Sequence, residues 1–125
     1  MLVRCKESFR QQIKEGSIYL VIEILVNRTR NLISYRLIDS EGYPAIYDAE
    51  KFVIVSDCIN NFAISVNQNS IVLSPAQILD SELNEKSAEG FWGLFIEDDS
   101  DTREILKKVV RNLALDENMA PPMLM

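Results

Sequence analysis

Apolar and polar positions change their rhythm near the middle of the chain. In the first half, Leu2–Cys5 is a short apolar start, and Ile18–Val26 (IYLVIEILV) is an apolar stretch rich in β-branched residues and interrupted only by Glu23. Both read as strands. Asn27–Asn31 is a polar connection with turn-forming asparagines at each end. Leu32–Ile38 alternates, with Leu32, Ser34, Arg36 and Ile38 on one parity and Ile33, Tyr35 and Leu37 on the other. Asp39–Pro44 predicts a turn in which Gly42 is free to take positive φ. Ala45–Tyr47 and Phe52–Val55 are two further short strands on either side of Asp48–Lys51. Five closely spaced short strands predict a small, twisted, barrel-like antiparallel sheet over residues 1–56.

The second half begins with a predicted hairpin, Ile59–Val66 and Ile71–Leu73 about the turn Asn67–Ser70, and then turns helical. Ser74-Pro75 has the form of a helix start, a serine cap followed by a proline with no N–H to lose, ahead of a short helix at Ala76–Leu79. Ser81–Ala88 reads as a loop and Gly90–Ile96 as one or two helical turns. Asp101-Thr-Arg-Glu104 fits a capping box with aspartate in the Ser/Thr place. Ile105, Leu106, Val109, Val110 and Leu113 follow at helical spacing. Asn118–Met125, with Pro121-Pro122, is expected to be a disordered tail. The fold class expected is therefore α+β: the five-stranded sheet, an added hairpin, and two or three C-terminal helices over 57–117, in a single domain spanning 1–125.

Composition narrows the function. Apolar residues make up 47% of the chain and charged residues 26%, as in a globular domain. No apolar run reaches the roughly 20 residues of a membrane-spanning helix, and the start of the chain lacks the form of a secretory signal. A cytoplasmic protein is expected, with Cys5 and Cys58 as buried free thiols. Histidine is absent, so the commonest general base and metal ligand are both missing. The four glycines, Gly16, Gly42, Gly90 and Gly93, are too scattered for a phosphate loop. Neither a metal, a cofactor nor a small-molecule substrate is expected. A carboxylate pair stays possible in principle among nineteen acids, but enzymatic activity is not the expected role.

Charge is unevenly placed. Residues 1–56 carry eight Lys/Arg against seven Asp/Glu, and residues 57–125 carry five against twelve. That sign opposes phosphate binding, so nucleic acid is not an expected partner, whereas a basic protein surface is. The densest acidity follows an aromatic run, in GFWGLFIEDDSD (Gly90–Asp101). Phe91, Trp92, Leu94 and Phe95 suit a short helix laid on the sheet. Asp99 and Asp101 stand where carboxylates stabilise the start of the last helix. Glu97 and Asp98 exceed that need. The residues expected to meet a partner are Glu97, Asp98 and Asp99, with Asp80, Glu82, Glu85 and Glu89 in the segment before them. Arg103, Lys107, Lys108 and Arg111 form a basic helix face that should pair locally with these acids.

Two stretches carry a resemblance. Lys14, Gly16, Tyr19 and Val21, then Tyr35, Leu37, Asp39 and Gly42, then Ile46, Tyr47, Phe52 and Val55 resemble the pattern of Src-homology-3-like small barrels of short bacterial and phage proteins. Lys14 and Gly16 stand one residue further apart than in that pattern. FAISVNQNSIVLSPAQIL and GFWGLFIEDDSDTREILKKVV are similar to bacterial toxin-system immunity proteins, in particular the contact-dependent growth inhibition group. The resemblance implies an antitoxin that binds and blocks a cognate toxin domain, often a nuclease. The alternative is a protein- or peptide-binding module of phage or regulatory origin, with no toxin involved.

Overall fold

The computed structural model describes the whole chain, Met1–Met125. It is an α+β structure built on one antiparallel seven-stranded sheet. The strands are β1 (Leu2–Cys5), β2 (Ile18–Asn27), β3 (Leu32–Ile38), β4 (Pro44–Asp48), β5 (Phe52–Ser56), β6 (Phe62–Val66) and β7 (Ser70–Pro75). The helices are α1 (Ala76–Leu79), α2 (Gly90–Ile96) and α3 (Ser100–Asp116). The first five strands run in the order β4-β3-β2-β1-β5, and the β6–β7 hairpin joins through β7 to β2. No ladder links β4 to β5, so these five strands do not close into a hydrogen-bonded barrel.

β2 organises the molecule because it is long enough to take two partners on one edge. β1 pairs with Ile18–Leu20, and β7 pairs with Ile24–Asn27. Between them the register against β3 shifts at Ile22, a bulge that bends the strand and turns Ile22 and Glu23 to the same side. Both faces of β2 are covered, which is why its sequence reads as an almost unbroken apolar run instead of alternating. Tyr19 and Val21 enter one core with Val3, Cys5, Ile13, Tyr35, Leu37, Tyr47 and Phe52. Leu20 and Ile22 enter a second core with Ile78, Leu83, Phe91, Phe95, Leu106, Val109, Val110 and Leu113. The first core lies within the curved sheet and the second binds the helices to its other face.

Edge-to-face aromatic contacts fill the first core: Phe52 meets Phe9, Tyr19 and Tyr35 at centroid distances of 6.0, 6.3 and 6.2 Å. Asp39 closes the β3–β4 turn beside it. Its Oδ1 accepts from the N–H groups of Glu41 and Tyr43 at 2.9 and 3.1 Å, and its Oδ2 from the Tyr47 hydroxyl at 3.3 Å. Burial, reinforced by this neighbouring carboxylate, pushes the Tyr47 phenol up to about 12.

Several local expectations are corrected. Ser74 does not cap α1: it is fully buried at the end of β7 with its hydroxyl unpartnered, and Pro75 occupies the cap position without a side-chain bond. The strand pairing of Phe62 with Pro75 and Ala63 with Ser74 holds this serine extended. Ser81–Ala88 contains a 3-10 turn, Glu82–Glu85, because the Ser81 hydroxyl accepts from the Leu83 N–H and Leu83 is drawn into the helical core. The cap of α3 is Asp99, not Asp101: its carboxylate accepts from the Thr102 N–H at 2.9 Å, and the Thr102 hydroxyl donates back to the Asp99 carbonyl. Cys5 is buried, its thiol donating to the Glu7 carbonyl, but Cys58 is only half-buried; both are free thiols.

The tail, expected to be disordered, folds back over the β3–β4 turn. The Met125 N–H donates to the Gly42 carbonyl at 3.1 Å, and Leu124 packs against the helical core. Gly42 has φ of +81°, and a Cβ there would stand 2.3 Å from the Met123 carbonyl oxygen. Only glycine permits this approach. No helix is long and apolar enough to cross a membrane.

Candidate functional site

The acids singled out in the sequence lie on successive helical elements, and the structure divides them by what each carboxylate does. Asp99 is committed to the α3 cap. Asp98 has φ of +66° and is ion-paired with Arg103. Arg103 also lies over the Phe95 ring, 4.8 Å from its centroid, and donates to the Met125 carbonyl. The remaining five, Asp80, Glu82, Glu85, Glu89 and Glu97, are exposed and have no cationic group within 4.0 Å. Of the basic residues on α3, Lys107 pairs with Glu104 at 3.4 Å, whereas Lys108 and Arg111 pair with no acid.

A short set of buried or capping groups fixes the backbone that carries the five acids. Asn84 is the key link. Its amide nitrogen donates to the carbonyls of Ile78 and Leu79 at 2.8 and 3.1 Å, satisfying the end of α1. Its amide oxygen accepts from the Phe91 N–H at 2.8 Å, satisfying the start of α2. Gly90, at φ of +69°, makes room for that amide, since a Cβ would stand 2.8 Å from the Asn84 oxygen. Leu83, Phe91 and Phe95 then anchor the segment in the helical core while Glu82, Glu85 and Glu89 point to solvent. Nothing in the sequence marks Asn84 for this part, because both of its partner segments are brought together only by folding.

Beside the acids, Trp92 is half-buried, not interior as its neighbours suggested. Its ring meets Phe91 and Phe95 edge-on at 5.1 and 5.6 Å. The Arg36 guanidinium stacks on it, 4.0 Å from the ring centroid. Arg36 also pairs with the buried Glu23 at 2.9 Å across β2 and β3. Burial lowers the Arg36 pKa, an effect that the Glu23 carboxylate opposes. The Trp92 indole N–H has no partner. The visible signal for this arrangement was Glu23, a lone charge in an apolar run, but its partner could not be read from spacing.

A cavity of about 270 Å³ lies between Tyr43, Phe95, Leu106 and Leu124, with Arg103 and Lys107 at its margin. More open depressions, four of them of about 400–560 Å³, lie elsewhere on the surface, and none of those four is lined by the five acids. No group of three or more Cys, Asp or Glu side chains is placed to hold a metal ion. No protein-family model, curated protein or solved structure matches the chain.

Proposed function

We propose that this chain is a toxin-neutralising immunity protein, which acts by stoichiometric binding of its helical, acidic side to a basic surface of a cognate toxin domain. The observation that carries this reading is the set of five exposed carboxylates, Asp80, Glu82, Glu85, Glu89 and Glu97, left without cationic partners on a backbone held by Ser81, Asn84 and Asp99. Unneutralised like charges on one segment repel in the free protein. A basic partner relieves that repulsion and is steered toward it, raising association rates toward ~10⁸–10⁹ M⁻¹s⁻¹ at low salt. Nuclease active sites are basic because they hold phosphates, and so present the complementary field.

The peptide-binding alternative has less support. Tyr19, Tyr35, Tyr47 and Phe52 of the sheet are turned into their own core and offer no exposed aromatic groove.

The test requires a toxin domain encoded directly beside this reading frame, and the lack of one would count against the reading. Co-expression of this chain should restore growth, and the purified proteins should form a one-to-one complex. Reversing Glu89 and Glu97 together to lysine should slow association and flatten its salt dependence. Binding that ignores both the reversal and the salt concentration would reduce the acids to a solubilising surface. Absence of any complex would remove the immunity reading altogether.

A further inference from the structure

Three edge strands bound the sheet, and two of them are guarded. β4 is bracketed by Pro44 and Asp48, and β5 lies between Lys51 and Asp57 with a bulge in its pairing to β1. Prolines, charges and bulges are the usual devices that stop an edge from pairing with another chain. β6 has none of them. From Cys58 to Leu79 there is no charged residue, in a chain that is 26% charged. Ile64, Ser65 and Val66 are consecutive and exposed, Ile64 at 62% and Val66 at 59%.

The hairpin register shows which backbone groups of β6 are free. Asn67 donates to the Ser70 carbonyl at 2.9 Å, so Asn67–Ser70 is a hydrogen-bonded pair. Antiparallel pairs alternate, which makes Ser65–Val72 and Ala63–Ser74 hydrogen-bonded as well. Pro75, without an N–H, falls opposite Phe62 at a non-bonded position, as it must. Ile64 and Val66 therefore turn both their N–H and C=O groups outward, away from β7.

We propose that this edge is a self-association site, at which a second copy of the chain adds its own β6 antiparallel about a two-fold axis at Ser65. This register sets Ile64 opposite Val66 of the second copy and exchanges four backbone hydrogen bonds, which uses every outward group on both residues. It continues one apolar face across the axis. Cross-strand partners place Ile64, Leu73 and Ile24 in one row, and Val66, Ile71, Val26 and Ile33 in the next.

Charge favours a second copy over an unrelated strand. The net charge of −6 drives copies apart, but pairing through an uncharged strand sets no like charges across the axis. The ends of the paired strands are also complementary. Arg28 donates to the Asn67 carbonyl at 3.1 Å, at the turn end of β6, and Asp116 accepts from the Asn61 amide at 3.2 Å, at the other end. With Ser65 on the axis, Asn67 falls opposite Ala63 of the second copy, so Arg28 of each copy is carried toward Asp116 of the other. A five-residue edge is smaller than a standard interface, and the dimer is accordingly weak and concentration-dependent.

Sedimentation equilibrium on the full chain should show a monomer–dimer equilibrium in the micromolar range. Ile64→Lys should weaken it at least about tenfold while leaving the monomer folded by circular dichroism. Across a non-hydrogen-bonded pair the Cα atoms lie about 4.5 Å apart, within disulfide range. In a Cys58→Ser background, Ser65→Cys should therefore crosslink under mild oxidation much faster than Gln68→Cys. The proposal fails if the wild type stays monomeric up to roughly 1 mM, well above the range of weak interfaces. It fails equally if the dimer survives Ile64→Lys, or if the two cysteine variants crosslink alike. None of these readouts involves a toxin, so the result stands apart from the immunity reading.

Discussion

Residues 58–79 carry no charge, whereas residues 80–104 carry nine Asp/Glu against two Lys/Arg. The two regions are also held in place differently. The hairpin hangs on β2 through backbone ladders that ask nothing of side chains, so β6 can leave Ile64 and Val66 in solvent. The acidic segment has no ladder to join. Buried apolar anchors (Leu83, Phe91 and Phe95) fasten it, together with the side-chain caps of Ser81, Asn84 and Asp99. Surface chemistry and attachment are thus decoupled in opposite senses: an apolar surface rests on a polar backbone scaffold, and a charged surface rests on an apolar one.

The strongest way to break that contrast is to remove an apolar anchor. Phe91→Ala should cost ~3–5 kcal/mol, measured by denaturant unfolding, because the ring is 1% exposed in the helical core. Trp92→Ala should cost clearly less, since the indole is half-buried and its N–H already lacks a partner. Equal losses would show that Trp92 is as much an anchor as its neighbour.

Removing a cap should act on the acidic segment alone. Asp99→Ala should destabilise the protein by ~1 kcal/mol, with no effect on hydrogen exchange in the β6–β7 hairpin. An equal loss of protection in both regions would mean that they unfold as one unit.

Alkaline sensitivity should come from the sheet core, where two buried phenols, Tyr35 and Tyr47, are both raised. The Tyr47 phenol is raised from 10.0 to about 12 in the folded chain. The unfolded chain therefore loses this proton first, and stability should fall as the pH rises from about 10 to about 12. Tyr47→Phe should reduce that dependence in a urea titration across this range, leaving the part due to Tyr35, whose phenol burial also raises. A slope unchanged in the variant would place its origin elsewhere.

The smallest effects should come from the two surfaces themselves. Ile64→Lys and Glu97→Lys should each change monomer stability by no more than ~0.5 kcal/mol, because both side chains are exposed and neither is capped or paired. A large loss for either would show that the exposed chemistry also supports the fold.

The sequence by itself determined the strands, the hairpin, the last helix and the α+β class. Each depends on local quantities: β-branched runs, turn residues and helical spacing. It also determined that the charge divides the chain, since that is a matter of counting. Which acids are free was decided by the tertiary structure. Asp99 stands at the helix start by sequence and caps α3. Glu97 and Asp98 look alike along the chain, but Asp98 meets Arg103 and only Glu97 stays unpaired. The same holds for Glu23, whose partner Arg36 comes from the adjacent strand after a bulge, and for Asn84, which joins two helix ends. Tail docking against Gly42 and the open edge of β6 are likewise tertiary results. For Glu23, the tail and β6 the deciding group is distant in sequence or on another strand. The contacts of Asp98, Asp99 and Asn84 span seven residues or fewer and turn on where each helix starts and stops. Local propensity says which element forms, while the register and packing of the finished sheet decide what each side chain meets.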